Sequence, residues 1–206
     1  MKRVPIVATL IVVLAVAAMI ALGCWQIVDR LPKKEAFLAQ LAANPSRPPV
    51  AFPTIGVDKS LLFRRTSAFC LEPTSWQTEG AGRFGWRFIA QCRTGAEGPG
   101  FAAEMGISRD PNYKPIWKGG IVTGTIALLP AHRSLIANVF GKTADTLMIV
   151  ADTPPPGLTR APRPSVESIP NNHLAYGVQW FLFAGIALAI YALALRRRWR
   201  DDGPAA

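Results

Sequence analysis

The sequence predicts a membrane protein in which two transmembrane helices flank a β-rich extracytoplasmic domain, an antiparallel sheet or open barrel of α+β type. Two long apolar runs lie near the two ends of the 206-residue chain. Several segments between them alternate apolar and polar residues with the period of a β-strand. A proline-rich segment separates these strands from the second apolar run.

The first apolar run extends from Val4 to Trp25 and is interrupted only by Thr9. As a helix it is about 33 Å long, enough to cross a hydrocarbon core of about 30 Å. No Ala-x-Ala exit follows it, so an uncleaved anchor is favoured over a signal peptide. The second run is equally long. We therefore predict transmembrane helices over residues 4–25 and 173–195, with a basic tail over residues 196–206.

Positive charge predicts the orientation of this hairpin. Lys2 and Arg3 precede the first helix, and a cluster of arginines follows the second, whereas only Arg160 and Arg163 come shortly before it. Because basic residues concentrate on the cytoplasmic side, we expect a multi-pass protein of the bacterial inner (plasma) membrane. Both termini are then cytoplasmic and the central domain is periplasmic.

The central domain is predicted to cover residues 26–152. A short helix is expected over 32–41. The best strand pattern covers 84–93, where the face predicted to be buried comprises Phe84, Trp86, Phe88, Ala90 and Cys92. Residues 101–107 are its expected hairpin partner. Further strand candidates, for about five to seven strands in all, are 61–70, 120–129 and 146–151. Residues 153–172 form a proline-rich strap, in which helix and central strand are excluded.

Composition and motifs exclude several functions. Six of the 23 Lys and Arg residues lie at the extreme ends of the chain, and the stretch from Gln26 to His173 has a net charge of +6 without a basic run interleaved with stacking aromatics, so no nucleic-acid partner is expected. Gly141-Lys142-Thr143 lacks the earlier glycine of a phosphate-binding loop. His132 is expected to be a solvated loop residue. No catalytic motif or paired-cysteine metal site is present in the sequence, so an enzyme is not expected.

The cysteine pattern leaves two alternatives open. Cys24 lies at a membrane boundary, while Cys70 and Cys92 lie in the central domain without CxxC spacing. In an exported domain, Cys70 and Cys92 either form one disulfide or remain as two separately buried thiols.

A candidate site lies where the proline-rich strap meets the second apolar run. In a helix beginning near Asn172, the side chains of His173, Tyr176 and Trp180 share one face because they are spaced i, i+3, i+7. Such a face suits a flat amphiphilic cofactor such as heme, with His173 as axial ligand. The alternative is an aromatic belt at the membrane interface, with His173 as a solvated flanking residue.

Two stretches resemble signatures of the Surfeit-locus cytochrome oxidase assembly family. Leu22-Gly23-Cys24-Trp25-Gln26 resembles its Gly-x-Trp-Gln signature, and residues 172–181 resemble its Asn-x-His-Leu-x-Tyr-x-x-x-Trp-Phe signature. The central motif Asn-Arg-Gly-Trp of the family is replaced here by Glu104-Met105-Gly106-Ile107.

The resemblance implies a non-enzymatic inner-membrane factor for cytochrome c oxidase that binds or helps insert heme a. The implied partners are the large membrane subunit of the oxidase, heme a synthase and the lipid bilayer. His173 is implied as the heme-iron contact, Trp25 and Trp180 as macrocycle contacts, and Gln26 and Tyr176 as polar contacts. The alternative function is a heme-independent membrane chaperone for oxidase subunits. A heme-modifying or thiol-redox enzyme is a third hypothesis.

Overall fold

The computed structural model of the protein describes residues 4–129 and 145–201. His132 and the Gly141–Thr143 segment lie outside the described residues. The chain divides into two compact units. One comprises residues 1–37 and 170–206, and the other comprises residues 38–169.

The first unit is helical. Helix α1 (Ile6–Cys24) continues without interruption into a π-helical turn (Trp25–Arg30, hereafter the π turn) and then into α2 (Leu31–Ala42). Helix α3 (His173–Asp201) packs against α1. The expected first and second apolar helices are therefore present, but the first continues past residue 25 into α2, where Pro32 is the second residue of the helix and is tolerated in its first turn. By length and composition, both helices are apolar enough to cross a membrane, with mean hydropathies of 2.9 and 2.0.

The second unit is built on one seven-stranded sheet, whose strand order is β1-β2-β6-β7-β5-β4-β3. The strands are β1 (Val50–Ala51), β2 (Arg65–Cys70), β3 (Glu72–Gly80), β4 (Trp86–Arg93), β5 (Phe101–Ser108), β6 (Gly120–Leu128) and β7 (Leu147–Ala151). The prediction of a β-rich domain between two apolar helices is thus confirmed.

Two strand pairs in this sheet are parallel, whereas the other pairs are antiparallel as expected. Strand β7 lies between β6 and β5 and is antiparallel to β6 but parallel to β5. Since β5 and β6 run in opposite directions, a strand between them has to be parallel to one of the two. Strand β1 is also parallel to β2. The sheet is therefore mixed.

The short connection between β2 and β3 indicates that the sheet curves toward an open barrel. Strand β2 ends at Cys70 and β3 begins at Glu72, although the two strands lie at opposite sides of the strand order. The residue between them, Leu71, donates its backbone N–H to the carbonyl oxygen of Arg93 at 2.7 Å. One bent segment therefore pairs with β6 through its first half and with β4 through its second half.

The disulfide alternative left open by the sequence is resolved at this bend. Cys70 and Cys92 form a disulfide, with their Cα atoms 5.2 Å apart and both residues buried. The bridge joins β2 to β4, two strands that are not neighbours in the sheet. Cys24 is free and exposed.

The predicted hairpin of residues 84–93 with 101–107 is confirmed by the antiparallel pairing of β4 with β5. Phe88, Ala90 and Cys92 are buried as expected. The expectation is wrong for Phe84 and Trp86, which are exposed because Phe84 lies in the turn before β4 and Trp86 is the first residue of the strand. The expectation that only this face of β4 is buried is wrong, because Ile89 is also fully buried in a cluster with residues of β5 and β7. The pairing register shifts between Phe88 and Ile89, which marks a β-bulge.

The proline-rich strap begins as part of the sheet domain. Thr159 forms a two-way backbone bridge with Ile107 of β5, with both N–H to oxygen distances at 2.9 Å. Leu158 and Ala161 are buried beside this bridge. The first half of the strap therefore adds apolar side chains to the core instead of connecting the units as a free spacer.

Candidate functional site

A hydrogen bond between Gln26 and His173 joins the two halves of the helical unit. His173 is the first residue of α3, and Gln26 is the second residue of the π turn. Nδ1 of His173 lies 2.8 Å from Oε1 of Gln26, and both side chains are half-buried. Two residues separated by 147 positions in sequence thus meet, as the hairpin topology predicts.

This hydrogen bond determines which imidazole nitrogen is available. An amide oxygen only accepts, so Nδ1 carries the proton and donates it to Oε1 of Gln26. Nε2 then keeps its lone pair, and within residues 4–129 and 145–201 no hydrogen bond involves it. A histidine whose other ring N–H is fixed in this way has the arrangement that proteins use for metal-ligating imidazoles.

Two glycines allow the helices to approach at the site. A Cβ added to Gly23 of α1 would lie 2.9 Å from the Phe181 ring of α3. A Cβ added to Gly177 of α3 would lie 2.6 Å from Cγ1 of Ile27 in the π turn. Both distances are below the range of real Cβ contacts, so larger residues at either position would separate the helices. The separation would pull Gln26 away from His173.

Trp25, the first residue of the π turn, has a charged neighbour. The guanidinium carbon of Arg30 lies 5.2 Å from the centre of the Trp25 ring, which is within the range of a cation–π contact. Trp25 remains 47% exposed. π turns recur at functional sites because they displace side chains from the regular helical positions.

Tyr176 and Trp180 lie on α3, one and two turns after His173. Tyr176 is half exposed, and its backbone N–H donates to the carbonyl oxygen of Asn172 at 2.9 Å. The Trp180 ring packs edge-on against Phe183, with ring centres 6.2 Å apart. In the described structure no ring contact joins Trp25, Tyr176 and Trp180 to one another. The structure thus brings His173 and Gln26 together, while Trp25 and Tyr176 are exposed and Trp180 is half-buried.

The donor set at this end of the helices consists of one imidazole. The described residues include no group of three or more His, Cys, Asp or Glu side chains able to hold a bare metal ion. One imidazole is sufficient for heme, because the porphyrin itself supplies four nitrogen ligands and the protein supplies axial ligands. The available Nε2 of His173 and the exposed aromatic rings nearby fit such a group.

Arg30 and Ile27 are site residues that the sequence did not predict. In an α-helix, residues five positions apart point about 140° away from each other, since each residue turns the helix by about 100°. Helical periodicity therefore gives no reason to connect Trp25 with Arg30. The contact depends on the π turn, and no residue pattern in this segment predicts a π turn.

Outside the helical unit, the sheet domain contains one buried carboxylate. Glu104 of β5 is 5% exposed, and its Oε2 lies 3.5 Å from Nη1 of Arg87 on β4. Burial raises the pKa of Glu104 above its ordinary value, while the Arg87 charge opposes the rise and Glu79 adds to it.

Part of the chain is similar to one known protein family. No curated protein matches the chain significantly. The model of the SURF1 family matches residues 108–185, a region that contains strands β6 and β7, the proline-rich strap and the His173 end of α3. SURF1 is the Surfeit-locus family associated with cytochrome oxidase assembly. The resemblance inferred from the two signatures is therefore confirmed over residues 108–185, which are similar to the SURF1 family.

Proposed function

We propose that the protein helps assemble cytochrome c oxidase by holding heme a at the ends of its two apolar helices, with His173 as axial ligand. The supporting observation is the 2.8 Å hydrogen bond that directs Nδ1 of His173 to Gln26 and leaves Nε2 available. When bound, heme a supplies an iron atom that accepts an imidazole nitrogen. In this proposal the protein binds the cofactor for delivery and catalyses no reaction on it.

Each residue has a defined task in this proposal. Gln26 keeps the proton on Nδ1 and fixes the plane of the imidazole ring. Trp25 and Trp180 contact the macrocycle through their ring faces or edges. Tyr176, which is half exposed, offers a hydroxyl group to the polar periphery of the ligand. The partners are the large membrane subunit of the oxidase, which receives the heme, and heme a synthase, which supplies it.

We place the protein in the bacterial inner membrane, with both termini in the cytoplasm and the sheet domain in the periplasm. The Cys70–Cys92 disulfide supports this placement, because disulfides persist in the periplasm and are rare in the cytoplasm. The arginines at the end of α3 support the same orientation. The heme site then lies at the periplasmic surface of the bilayer.

The test is the heme content of the purified protein. The wild type, His173→Ala and His173→Gln are expressed together with heme a synthesis and compared by Soret absorbance per folded protein. We expect a stoichiometric Soret band in the wild type and its loss in both variants, because neither side chain provides a good iron ligand. Normal heme occupancy in both variants would refute ligation by His173. If the His173→Gln variant alone behaves as wild type, His173 is an interfacial anchor.

Trp180→Leu is the control for the ring contacts. This variant should weaken heme binding without changing the spectral signature of the iron.

The second candidate is a heme-independent membrane chaperone that stabilises oxidase subunits. The observation that favours it is the large apolar surface of the two helices: in their most apolar windows, only 11% and 6% of the residues are buried within the protein. Such a surface is open to lipid or to helices of a partner subunit. The same heme measurement distinguishes the two functions, since the chaperone purifies without a Soret band even where heme a is made.

A further inference from the structure

Arg30 is held at the candidate site by the shape of the π turn. Residues 25 and 30 are five positions apart, a separation that places side chains on different faces of an α-helix. The wider winding of the π turn brings them together, so that the Arg30 guanidinium lies 5.2 Å from the centre of the Trp25 ring. Stacking of this kind limits the rotamers of Arg30 while its N–H donors remain free for another partner.

The charge of Arg30 is not neutralised within the described part of the chain. The neighbouring acidic residue, Asp29, forms an ion pair with Lys33 one turn further along the helix. No carboxylate lies within ion-pair distance of Arg30 among residues 4–129 and 145–201. An oriented guanidinium with free donors is the arrangement that binds carboxylates through two parallel hydrogen bonds.

Arg30 and His173 lie at the same end of the helix pair. Trp25, on which Arg30 stacks, is adjacent in sequence to Gln26, and Gln26 is hydrogen-bonded to His173. A heme presents two different groups to a protein, the iron at its centre and carboxylates at one edge. One nitrogen donor and one guanidinium at the same end of the helix pair match these two groups.

We propose that Arg30, stacked on Trp25 by the π turn, binds a propionate carboxylate of the heme whose iron His173 ligates. This inference rests on the proposed heme-binding function and adds to it the residue that recognises the acidic edge of the cofactor. The phosphate of a membrane lipid is the other anion that Arg30 could meet at an interface. The experiment therefore includes the esterified heme and a lipid arm.

The experiment measures binding of heme a and of its dimethyl ester to the full-length protein in a neutral detergent, by Soret titration. We expect the wild type to bind heme a about three- to tenfold more tightly than the ester, the range of a partly exposed ion pair. Arg30→Gln should lose this preference and bind both forms with the affinity that the wild type has for the ester. Arg30→Lys should restore part of the preference, because it keeps the charge but not the paired donors.

Lys34→Gln is the matched control. Lys34 is also a cation stacked on a ring, that of Phe37 at 6.0 Å, but it lies one turn further from the site. Its loss should leave both affinities unchanged. Equal weakening by Lys34→Gln and Arg30→Gln would show a general charge effect and overturn the inference.

The outcomes separate the two proposals. If the wild type binds neither form of heme, the proposed function fails. If the wild type binds heme a through His173 but treats heme a and its ester alike, only the role of Arg30 fails. If Arg30→Gln changes association with nanodiscs of anionic lipid and leaves the affinity for heme a unchanged, Arg30 is a lipid contact and the inference is overturned.

Discussion

Gly177 of α3 lies directly against Ile27 of the π turn, where a Cβ would lie 2.6 Å from Cγ1 and 2.9 Å from Cδ1 of Ile27. The same Cβ would lie 3.4 Å from the carbonyl oxygen of Gly23. The helices are therefore in contact without any space for a side chain at position 177. This contact sets the separation across which Gln26 reaches His173.

The first prediction is that Gly177→Ala moves the helices apart and breaks the Gln26–His173 hydrogen bond. Inserting a methyl group into a packed contact costs about 1–3 kcal/mol, which exceeds the roughly 1 kcal/mol that alanine gains over glycine in a helix. We expect a lower thermal unfolding temperature in detergent and a loss of heme retention. Gly185→Ala in the same helix is the control, because nothing lies within 4 Å of its Cβ position. If both variants lose stability equally, close packing at Gly177 is not the cause.

The second prediction concerns the disulfide between Cys70 and Cys92. The bridge closes a segment with a sequence separation of 22 residues, so its removal should cost the sheet domain about 3 kcal/mol of unfolding free energy. Thiol labelling of the unreduced, denatured protein should modify Cys24 alone, and reduction should expose two further thiols. If the Cys70→Ser/Cys92→Ser double variant is less stable but still supports oxidase assembly, the bond is structural and the redox-enzyme hypothesis is eliminated.

The third prediction tests the orientation in the membrane. A reporter fused after residue 206 should be active only in its cytoplasmic form, and a reporter inserted near Gly98 only in its periplasmic form. Gly98 lies in the exposed turn between β4 and β5, where an insertion leaves the strands intact. The opposite pattern would show that the candidate site and the sheet domain lie on the cytoplasmic side, where disulfides are rare.

The fourth prediction follows from the raised pKa of Glu104. Because burial raises this pKa in the folded state, the folded protein keeps a proton that the unfolded chain has released just above pH 4.5. The unfolding free energy should therefore fall as the pH rises through the window between 4.5 and the folded pKa. Glu104→Gln should flatten this part of the profile of unfolding temperature against pH.

Glu72→Gln is the matched control for Glu104. Glu72 is also paired with an arginine, Arg93, but its side chain is 52% exposed. Its neutralisation should leave the shape of the profile unchanged. A profile that is as steep in Glu104→Gln as in the wild type would show that other groups produce the pH dependence.

The sequence was most informative where a residue pattern has a single structural solution. Two long apolar runs predict two apolar helices, and the alternation around Phe88 predicts a strand with its hairpin partner. Strand β3 was not predicted, because Glu72–Gly80 is rich in polar residues and lies exposed at the sheet edge. The parallel position of β7 next to β5 is a long-range pairing, and no local pattern encodes it.

The candidate site also has one part that the sequence predicted and one part that it did not. The sequence predicted that His173 and Gln26 lie at the same end of a hairpin of two apolar helices, and so could form one site. The π turn could not be predicted, since no residue in Trp25–Arg30 requires a wider turn. Its consequence, the contact of Arg30 with Trp25, was therefore also missed.

The last prediction concerns Gln26, whose Oε1 accepts the proton of His173 Nδ1. Gln26→Leu removes the acceptor, so that the imidazole can rotate or change tautomer, and Nε2 is no longer held as a lone-pair donor. Loss of such a supporting hydrogen bond typically weakens a metal ligand by about 10- to 100-fold. Gln179→Leu is the control, because Gln179 is exposed on α3 and has no hydrogen bond in the described structure.

Gln26→Glu tests the same hydrogen bond by strengthening it instead of removing it. A carboxylate accepts the Nδ1 proton more strongly than an amide does and makes the imidazole a more electron-rich ligand. Ferric iron is stabilised by such a ligand, so the reduction potential of bound heme should fall relative to the wild type, while heme occupancy is retained. A potentiometric titration followed by absorbance measures this shift. An unchanged potential in Gln26→Glu, together with normal occupancy in Gln26→Leu, would mean that His173 does not ligate iron through Nε2, and that the hydrogen bond only joins the two helices.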